Sequence, residues 1–147
     1  MKPMLATIGT TDLLDRTDYY FEAKLDGYRA LCFKKTKLKF TSRNGIILTN
    51  KYPELDFFNN LEAQECILDG EIVVYDDKGN PSFDLLHNHQ ESDMNATYVA
   101  FDILYYNGVP KINEPFESRS KLIRKIVAQH PYKIITSKQI ITGDEAA

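Results

Sequence analysis

Lys24 stands directly before an Asp-Gly pair inside the apolar run FEAKLDGYRALCF, which extends from Phe21 to Phe33. If this run forms strands, Glu22 and Lys24 share one face, because side chains alternate along a strand. Burial of an ammonium is costly unless a partner compensates it, so Lys24 is expected to face something polar. An exposed Glu-Lys pair worth under about 1 kcal/mol would explain an isolated K-x-D-G. A lysine that a turn presents to a cleft would instead be a candidate nucleophile.

Carboxylates interrupt two further apolar runs. Asp69 and Glu71 share one face of CILDGEIVVY, and Asp102 carries the one charge of YVAFDILYY. Such acids are either ion-paired within the core or line a cleft that binds a cation, a sugar or a lysine. Gly70 lies between two of them, and a glycine in a strand lets a ligand or a backbone approach closely. The glycine between the two acids therefore favours the interpretation that they line a cleft.

Two other polar groups have competing interpretations. Arg43 ends a strand that also carries Lys37 and Lys39, so it could meet a phosphate, although a solvated basic face explains it equally well. His87 and His89 are spaced like a metal pair. No third ligand is evident, so a plain polar loop is the better interpretation.

Short strands joined by turns must position these residues. The turn at 25–27 is flanked by YYFEAK and YRALCFKK. The Asn-Gly turn at 44–45 is flanked by KLKFTSR and IILT, and an Asn-Gly pair between such runs is typical of a hairpin. CILDGEIVVYD and SFDLL bracket a turn at 76–81, and TYVAFDILYYNG is a strand closed by the Asn-Gly pair at 107–108. The patterns predict mainly antiparallel strands.

Two helices interrupt the strands. Pro53 is expected to begin a short helix and Ser118 to cap a longer one that ends before Pro131. The apolar positions at helical spacing are Leu55, Phe58 and Leu61 in the first helix and Leu122, Ile123, Ile126 and Val127 in the second. The solvated side of the second helix is expected to carry Arg119, Lys121, Arg124 and Lys125. The fold class is therefore α+β, with antiparallel sheets and flanking helices rather than a βαβ repeat.

The composition fits one intracellular globular unit. The chain has 147 residues, 43% of them hydrophobic, which is enough for a single core. Cys32 and Cys66 lie in apolar runs without ligand spacing, so both are expected to be reduced core residues. No leader and no membrane span are evident, so a soluble, cytoplasmic protein is expected. A net charge of −3 disfavours a self-sufficient nucleic-acid binder.

Four motifs in order give the chain a family resemblance. The motifs are KLDGYR, SRNG, LDGEIVVYD and FDILYYNG. Together they resemble the covalent nucleotidyltransferases, and most closely the ATP-dependent DNA ligases of the bacterial and archaeal end-joining type. The opening KPMLAT is also similar to the start of that ligase domain. Messenger-RNA capping enzymes and RNA ligases share the lysine motif, but FDILYYNG is more similar to a DNA ligase. The resemblance covers nearly the whole chain and implies the ATP-grasp-like nucleotidyltransferase fold.

The resemblance also implies a reaction. Lys24 would attack the α-phosphorus of ATP and retain AMP, which would pass to a DNA 5′-phosphate before the neighbouring 3′-hydroxyl displaces it and seals the nick. The implied ligand contacts are Glu22 along the adenine, Arg29 and Arg43 near the ribose and phosphate, Glu71 at the ribose or a metal, and Phe101 under the adenine ring.

Magnesium is the expected metal. A free lysine has a pKa near ~10.4, so a neutral amine costs on the order of 4 kcal/mol at neutral pH. Cationic neighbours and a divalent ion on the triphosphate favour the neutral amine, whereas a carboxylate such as Glu22 on the same face opposes it. Magnesium also reduces the repulsion between carboxylates and phosphates.

Later parts of the family pattern do not occur in this sequence. An E-G-[IV]-V strand with a metal-binding glutamate, a K-x-K strand that grips the α-phosphate, and an OB-fold domain would follow. Residues 1–147 are therefore expected to be a partial adenylation domain that does not seal nicks alone. Its partners would be nicked duplex DNA and the missing C-terminal part, and an exposed sheet edge could drive self-association. The alternative is a non-catalytic nucleotide-binding or interaction module.

Overall fold

The computed structural model describes residues 2–22, 24–35, 37–55, 65–89, 95–128, 134–136 and 139–140. Within these ranges, no helix is long and apolar enough to cross a membrane. The strands are β1 Phe21–Glu22, β2 Tyr28–Lys34, β3 Leu38–Ser42, β4 Cys66–Val73, β5 Thr97–Tyr106, β6 Val109–Pro110, β7 Ile134–Thr136 and β8 Gln139–Ile140. The helices are α1 Phe83–His87 and α2 Phe116–Val127, with 3-10 helices at Thr11–Asp15 and Thr49–Lys51.

A six-stranded sheet forms the centre of the fold. Its strands follow the order β3-β2-β4-β5-β6, and all of these neighbours are antiparallel. Strand β7 pairs with β5 in parallel, after the chain has passed through α2. The predicted α+β class is therefore confirmed, with one parallel pair that the sequence patterns did not indicate.

Three of the predicted turns are present. At 107–108 both residues have positive φ values, 46° at Asn107 and 89° at Gly108, as a two-residue hairpin turn requires. At 76–81 the Asp76 side chain accepts hydrogen bonds from the backbone N–H groups of Lys78 and Asn80, both at 2.9 Å. At 44–45 the turn forms, but the pairing beyond it is a single bridge between Thr41 and Ile47.

The predicted hairpin around residues 25–27 is wrong. Strand β1 does not pair with β2; Phe21 and Glu22 instead pair with Ile140 and Gln139 of β8 in a separate two-stranded sheet. The reason lies at Gly27, where an added Cβ would stand 2.2 Å from the carbonyl oxygen of Ile72. The segment therefore runs onto the backbone of β4 and enters the central sheet there, rather than folding back on β1.

Two predicted helix features also need correction. The segment SFDLL belongs to α1 rather than to a strand, because the Ser82 hydroxyl caps the helix by accepting from the Leu85 N–H at 3.3 Å. Ser118 lies inside α2, whose N-cap is Pro115. Of the helix predicted from Pro53, Leu55 is buried, whereas Phe58 and Leu61 lie outside the described residues.

The core lies on one face of the central sheet and includes both cysteines. Cys32 and Cys66 are buried and free, as predicted, and burial raises the pKa of the Cys66 thiol to about 11. Helix α2 packs against this core with Ile123 and Ile126, which confirms the predicted apolar stripe.

Candidate active site

The opposite face of the central sheet carries several of the polar residues that the sequence singled out. Arg29 of β2 lies directly across from Glu71 of β4. Asp69 of β4 binds Arg29, and the ring of Phe101 in β5 lies under the same arginine, so all four side chains share this face. A register irregularity between Asp69 and Gly70 inserts one extra residue of β5, so that Asp102 lies across from Asp69 although Ala100 lies across from Gly70.

Arg29 is the centre of this cluster. Its Nε and Nη2 donate to the two carboxylate oxygens of Asp69, each at 2.7 Å, and Nη2 also donates to the carbonyl oxygen of Met4 at 3.0 Å. The guanidinium carbon lies 5.0 Å from the centroid of the Phe101 ring. The hydrogen bonds to Asp69 hold the pKa of Arg29 above its ordinary value. Such a bidentate pair fixes the position of Arg29 as well as its charge.

Asp69 is therefore an ion-paired residue, one of the two alternatives left open for the strand acids. Its side chain is only 6% exposed. Asp102 is ion-paired as well, because Arg119 of α2 donates to it from Nε at 2.8 Å. Arg119 is partly buried, so the prediction that it lies on the solvated side of α2 is wrong.

Glu71 differs from these two aspartates, because it faces the cleft. Burial raises the pKa of its carboxyl above the ordinary value of a glutamate. The charges of Arg29 and Lys24 and a hydrogen bond from the Gly27 N–H oppose this shift without cancelling it. Glu71 is thus within electrostatic reach of Lys24, whose own side chain is exposed.

Gly27 brings the lysine motif to Glu71. Its missing side chain allows the loop to lie against β4, where a Cβ would also stand 2.8 Å from Cγ1 of Val73. The sequence indicated a turn glycine here. Close packing against another strand is the actual requirement, and only the position of β4 could have revealed it.

Gly70 allows a close backbone approach, one of the two predicted alternatives, rather than the approach of a ligand. A Cβ at this position would meet the carbonyl oxygen of Val99 at 2.3 Å and the Tyr98 ring at 2.8 Å. The Tyr98 hydroxyl reaches across the core and donates to the carbonyl oxygen of Ala30 at 2.9 Å. Gly70 therefore makes room for a core tyrosine and not for a ligand in the cleft.

A cavity of about 500 Å³ opens beside this cluster. It brings Arg29, Arg43 and Glu71 together; its other lining residues are Gly27, Tyr28, Ser42, Asn44, Ile46, Leu48 and Lys51. The sequence interpretation did not single out Tyr28 or Lys51, although the Lys51 ammonium lies 5.6 Å from the Tyr28 ring centroid. This cation-aromatic contact joins two distant segments, so no local pattern could have predicted it.

The predicted site residues do not all line this cavity. Lys24 is not one of the described lining residues, but its charge is within electrostatic range of Glu71, which lines the cavity, and Phe101 lies beneath Arg29. Glu22 is an exposed residue of β1, in the two-stranded sheet, and is not one of the described residues that line the cavity.

The two histidines have separate partners. Nδ1 of His87 lies 3.1 Å from the Tyr28 hydroxyl, and Nε2 of His89 lies 2.6 Å from a carboxylate oxygen of Glu54. Among the residues that the structure describes, no group of three or more His, Cys, Asp or Glu side chains could hold a metal. A metal at this site would therefore need oxygen ligands from a substrate in addition to a carboxylate.

The site has an exposed lysine within electrostatic range of a glutamate, together with two arginines and an aromatic ring on an antiparallel sheet. This set of groups suits a phosphate-bearing ligand. The chain belongs to the family of ATP-dependent DNA ligase domains, whose family model matches residues 3–147.

Relatives and solved structures agree with this assignment. The chain is 34% identical to the multifunctional non-homologous end joining DNA repair protein LigD of Mycobacterium tuberculosis and 33% identical to a DNA ligase of Methanococcus aeolicus, in each case over 99% of the chain. It matches the crystal structure of the ligase domain of M. tuberculosis LigD with a TM-score of 0.86 and 32% identity, and a mycobacterial DNA ligase D complexed with ATP and MES with a TM-score of 0.85 and 31% identity. The chain spans 19% and 28% of the two relatives and 48% of each solved chain.

Proposed function

We propose that this chain is the lysine-bearing part of an adenylation domain and that Lys24 is its nucleophile. The amine nitrogen attacks the α-phosphorus of ATP, a P–N bond forms, the bond from that phosphorus to the bridging oxygen breaks, and pyrophosphate leaves. The observation that carries this proposal is that the loop of Lys24 packs on β4 at Gly27, which places the lysine charge within electrostatic range of Glu71 on the face that also presents Arg29 and Phe101.

Each neighbour of Lys24 has a part in this proposal. Arg43 lines the cavity and is available to an anionic phosphate, because it forms no ion pair within the described part of the chain. Arg29, held by Asp69, presents a fixed guanidinium to the ribose or phosphate. The Phe101 ring, one face of which the Arg29 guanidinium covers, is proposed to stack on the adenine, and stacking of this kind contributes roughly 1 to 3 kcal/mol per base.

The site fits a magnesium ion carried by the triphosphate. Burial makes the charged form of Glu71 unfavourable, and a bound cation would relieve that cost. Magnesium is commonly held by one or two carboxylates together with substrate phosphates, so Glu71 is the residue that would hold it. The ion would neutralise charge that develops on the phosphates.

The DNA step is proposed from the relatives. We infer that the AMP held by Lys24 passes to the 5′-phosphate of a nicked duplex, and that the adjacent 3′-hydroxyl then displaces it. This transfer to DNA requires the remainder of a ligase domain, since the chain covers 48% of the solved ligase domain of M. tuberculosis LigD. Self-association through an exposed sheet edge is a further part of the proposal. The outer edge of β3 does not support it, because backbone groups of Phe40 and Ser42 already bond residues 46–49.

Labelled ATP tests the proposal. The chain, joined to the remainder of a ligase domain, is incubated with magnesium and ATP labelled at the α-phosphate, and acid-labile label on the protein is measured. We expect label in the wild type and in the control variant Lys39→Ala, whose lysine is an exposed residue of β3, and none in Lys24→Ala. Label that persists in Lys24→Ala would refute the assignment. Absence of label from every variant would favour a non-catalytic module.

A further inference from the structure

Helix α2 makes a contact that has no part in the adenylation step described above. Phe116, the first residue of α2, packs against Tyr20, with ring centroids 5.3 Å apart and ring planes inclined at 49°. Tyr20 directly precedes β1 and lies four residues before Lys24. The contact therefore joins α2 to the segment that carries the candidate nucleophile.

The segment that carries Lys24 has little backbone pairing. In the part of the chain that the structure describes, residues 17–26 pair with another segment only through the two residues of β1, which face β8. The next attachment is the packing of Gly27 on β4. An isolated pair of strands is marginal by itself, so the position of Lys24 depends also on the contact between Tyr20 and α2.

Phe116 is itself held by a network that reaches β5. The guanidinium carbon of Arg119 lies 5.7 Å from the centroid of the Phe116 ring. Arg119 donates to both carboxylate oxygens of Asp102, from Nε at 2.8 Å and from Nη2 at 3.3 Å. Asp102 adjoins Phe101 in β5, the residue proposed to stack on the adenine. Contacts therefore run without a break from Tyr20 through α2 to the strand that carries Phe101.

We propose that Tyr20 and Phe116 are positioning residues for the attack of Lys24, and that α2 sets the position of this lysine relative to Phe101. The inference rests on the proposed adenylation at Lys24. Attack requires the amine to lie close to the α-phosphorus and in line with the leaving group, and a misplacement of about 1 Å can cost about 100-fold in rate. Neither ring has to contact ATP, because each acts through the backbone that carries the lysine.

The rate of labelling tests this role. The chain joined to the remainder of a ligase domain is given ATP labelled at the α-phosphate over a range of ATP concentrations. Two aromatic rings in contact shift an equilibrium by roughly three- to ten-fold, so we expect Phe116→Ala and Tyr20→Ala each to lower the maximal rate by about five-fold. The ATP concentration that gives half the maximal rate should stay within about two-fold of the wild type, because the rings do not bind the nucleotide. The double variant should be no slower than either single one, since both changes remove the same contact, and Tyr20→Phe should keep the wild-type rate.

Tyr19→Ala is the matched control. Tyr19 is the neighbouring exposed tyrosine, and its ring centroid lies 5.3 Å from the guanidinium carbon of Arg16 in the same segment. This variant should label at the wild-type rate. Because Phe116 is half-buried and its truncation lowers stability, all rates are measured below the unfolding temperature of the least stable variant.

Hydrogen exchange of the peptide that spans residues 20–27, read by mass spectrometry, is a measurement independent of label transfer. Exchange should be faster in Tyr20→Ala and Phe116→Ala than in Tyr19→Ala. The inference is wrong if these three variants exchange or label equally, if the losses of the two single variants multiply in the double variant, or if only the half-maximal ATP concentration changes. A wild type that takes no label refutes adenylation at Lys24, and the exchange comparison then still decides whether α2 positions the loop.

Discussion

Replacing Gly27 by alanine tests whether close packing of the lysine loop on β4 creates the active geometry. A Cβ at Gly27 would lie 2.2 Å from the carbonyl oxygen of Ile72 and 2.8 Å from Cγ1 of Val73. Strand β4 is paired on both sides, with β2 and β5, so its backbone cannot move away cheaply. The loop that carries Lys24 must therefore yield, and the hydrogen bond from the Gly27 N–H to Glu71 is lost with it.

The size of the effect follows from these distances. Ordinary contact begins at 3.4 Å, so the Cβ would have to lie at least about 1.2 Å further from the Ile72 oxygen. A misplacement of about 1 Å can already cost about 100-fold in rate. Overpacking of a tight contact also costs about 1 to 3 kcal/mol of stability. We therefore expect Gly27→Ala to lose adenylation about 100-fold while the chain stays folded.

Gly79→Ala is the matched control for this experiment. Gly79 has a φ of 81° and no heavy atom within 4 Å of an added Cβ, so alanine there costs about 1 to 2 kcal/mol of backbone strain without a clash. Thermal unfolding should show comparable losses for the two variants, and label transfer from ATP should fall only in Gly27→Ala. If Gly27→Ala accepts label at the rate of Gly79→Ala, the packing argument is wrong.

Two further substitutions test the charges on this face. Because the folded state raises the pKa of Glu71, the wild type loses stability as pH rises above the ordinary pKa of a glutamate. Thermal unfolding should therefore show that Glu71→Gln gains stability relative to the wild type between acid and neutral pH. The same variant should lose magnesium-dependent nucleotide binding. Arg119→Ala leaves the partly buried Asp102 without its ion-pair partner and should lower the free energy of unfolding by about 3 kcal/mol in a denaturant titration. Lys121→Ala removes one partner of an exposed pair with Glu117 and should lower it by under about 1 kcal/mol. Equal losses in the last two variants would contradict the difference in burial.

Local signals predicted the parts of the fold that depend on a few adjacent residues. The positive φ values at Asn107 and Gly108 follow from residue type, and β5 follows from its long apolar run. The pairing of β1 with β8 does not, because each strand has two residues and their partners lie at opposite ends of the sequence. A two-residue strand has no periodicity that could indicate its partner.

The site shows the same division between local and long-range information. The motif containing Lys24 identified the candidate nucleophile, and alternation placed Asp69 and Glu71 on one face. Their different environments depend on the register of β2 against β4, which sets Arg29 opposite Glu71 and within reach of Asp69. Sequence alone could not assign one acid to an ion pair and the other to the cleft.

The distribution of charge explains how an acidic chain can hold a polyanion. The net charge is −3, but charges more than about 8 to 10 Å away are largely screened at physiological salt. In the cleft, Asp69 neutralises Arg29, which leaves Lys24, Arg43 and Lys51 against the carboxylates of Glu71 and Asp26. A local excess of positive charge therefore faces the ligand. The low overall charge disfavours non-specific attraction to DNA, and screening limits its effect on the cleft.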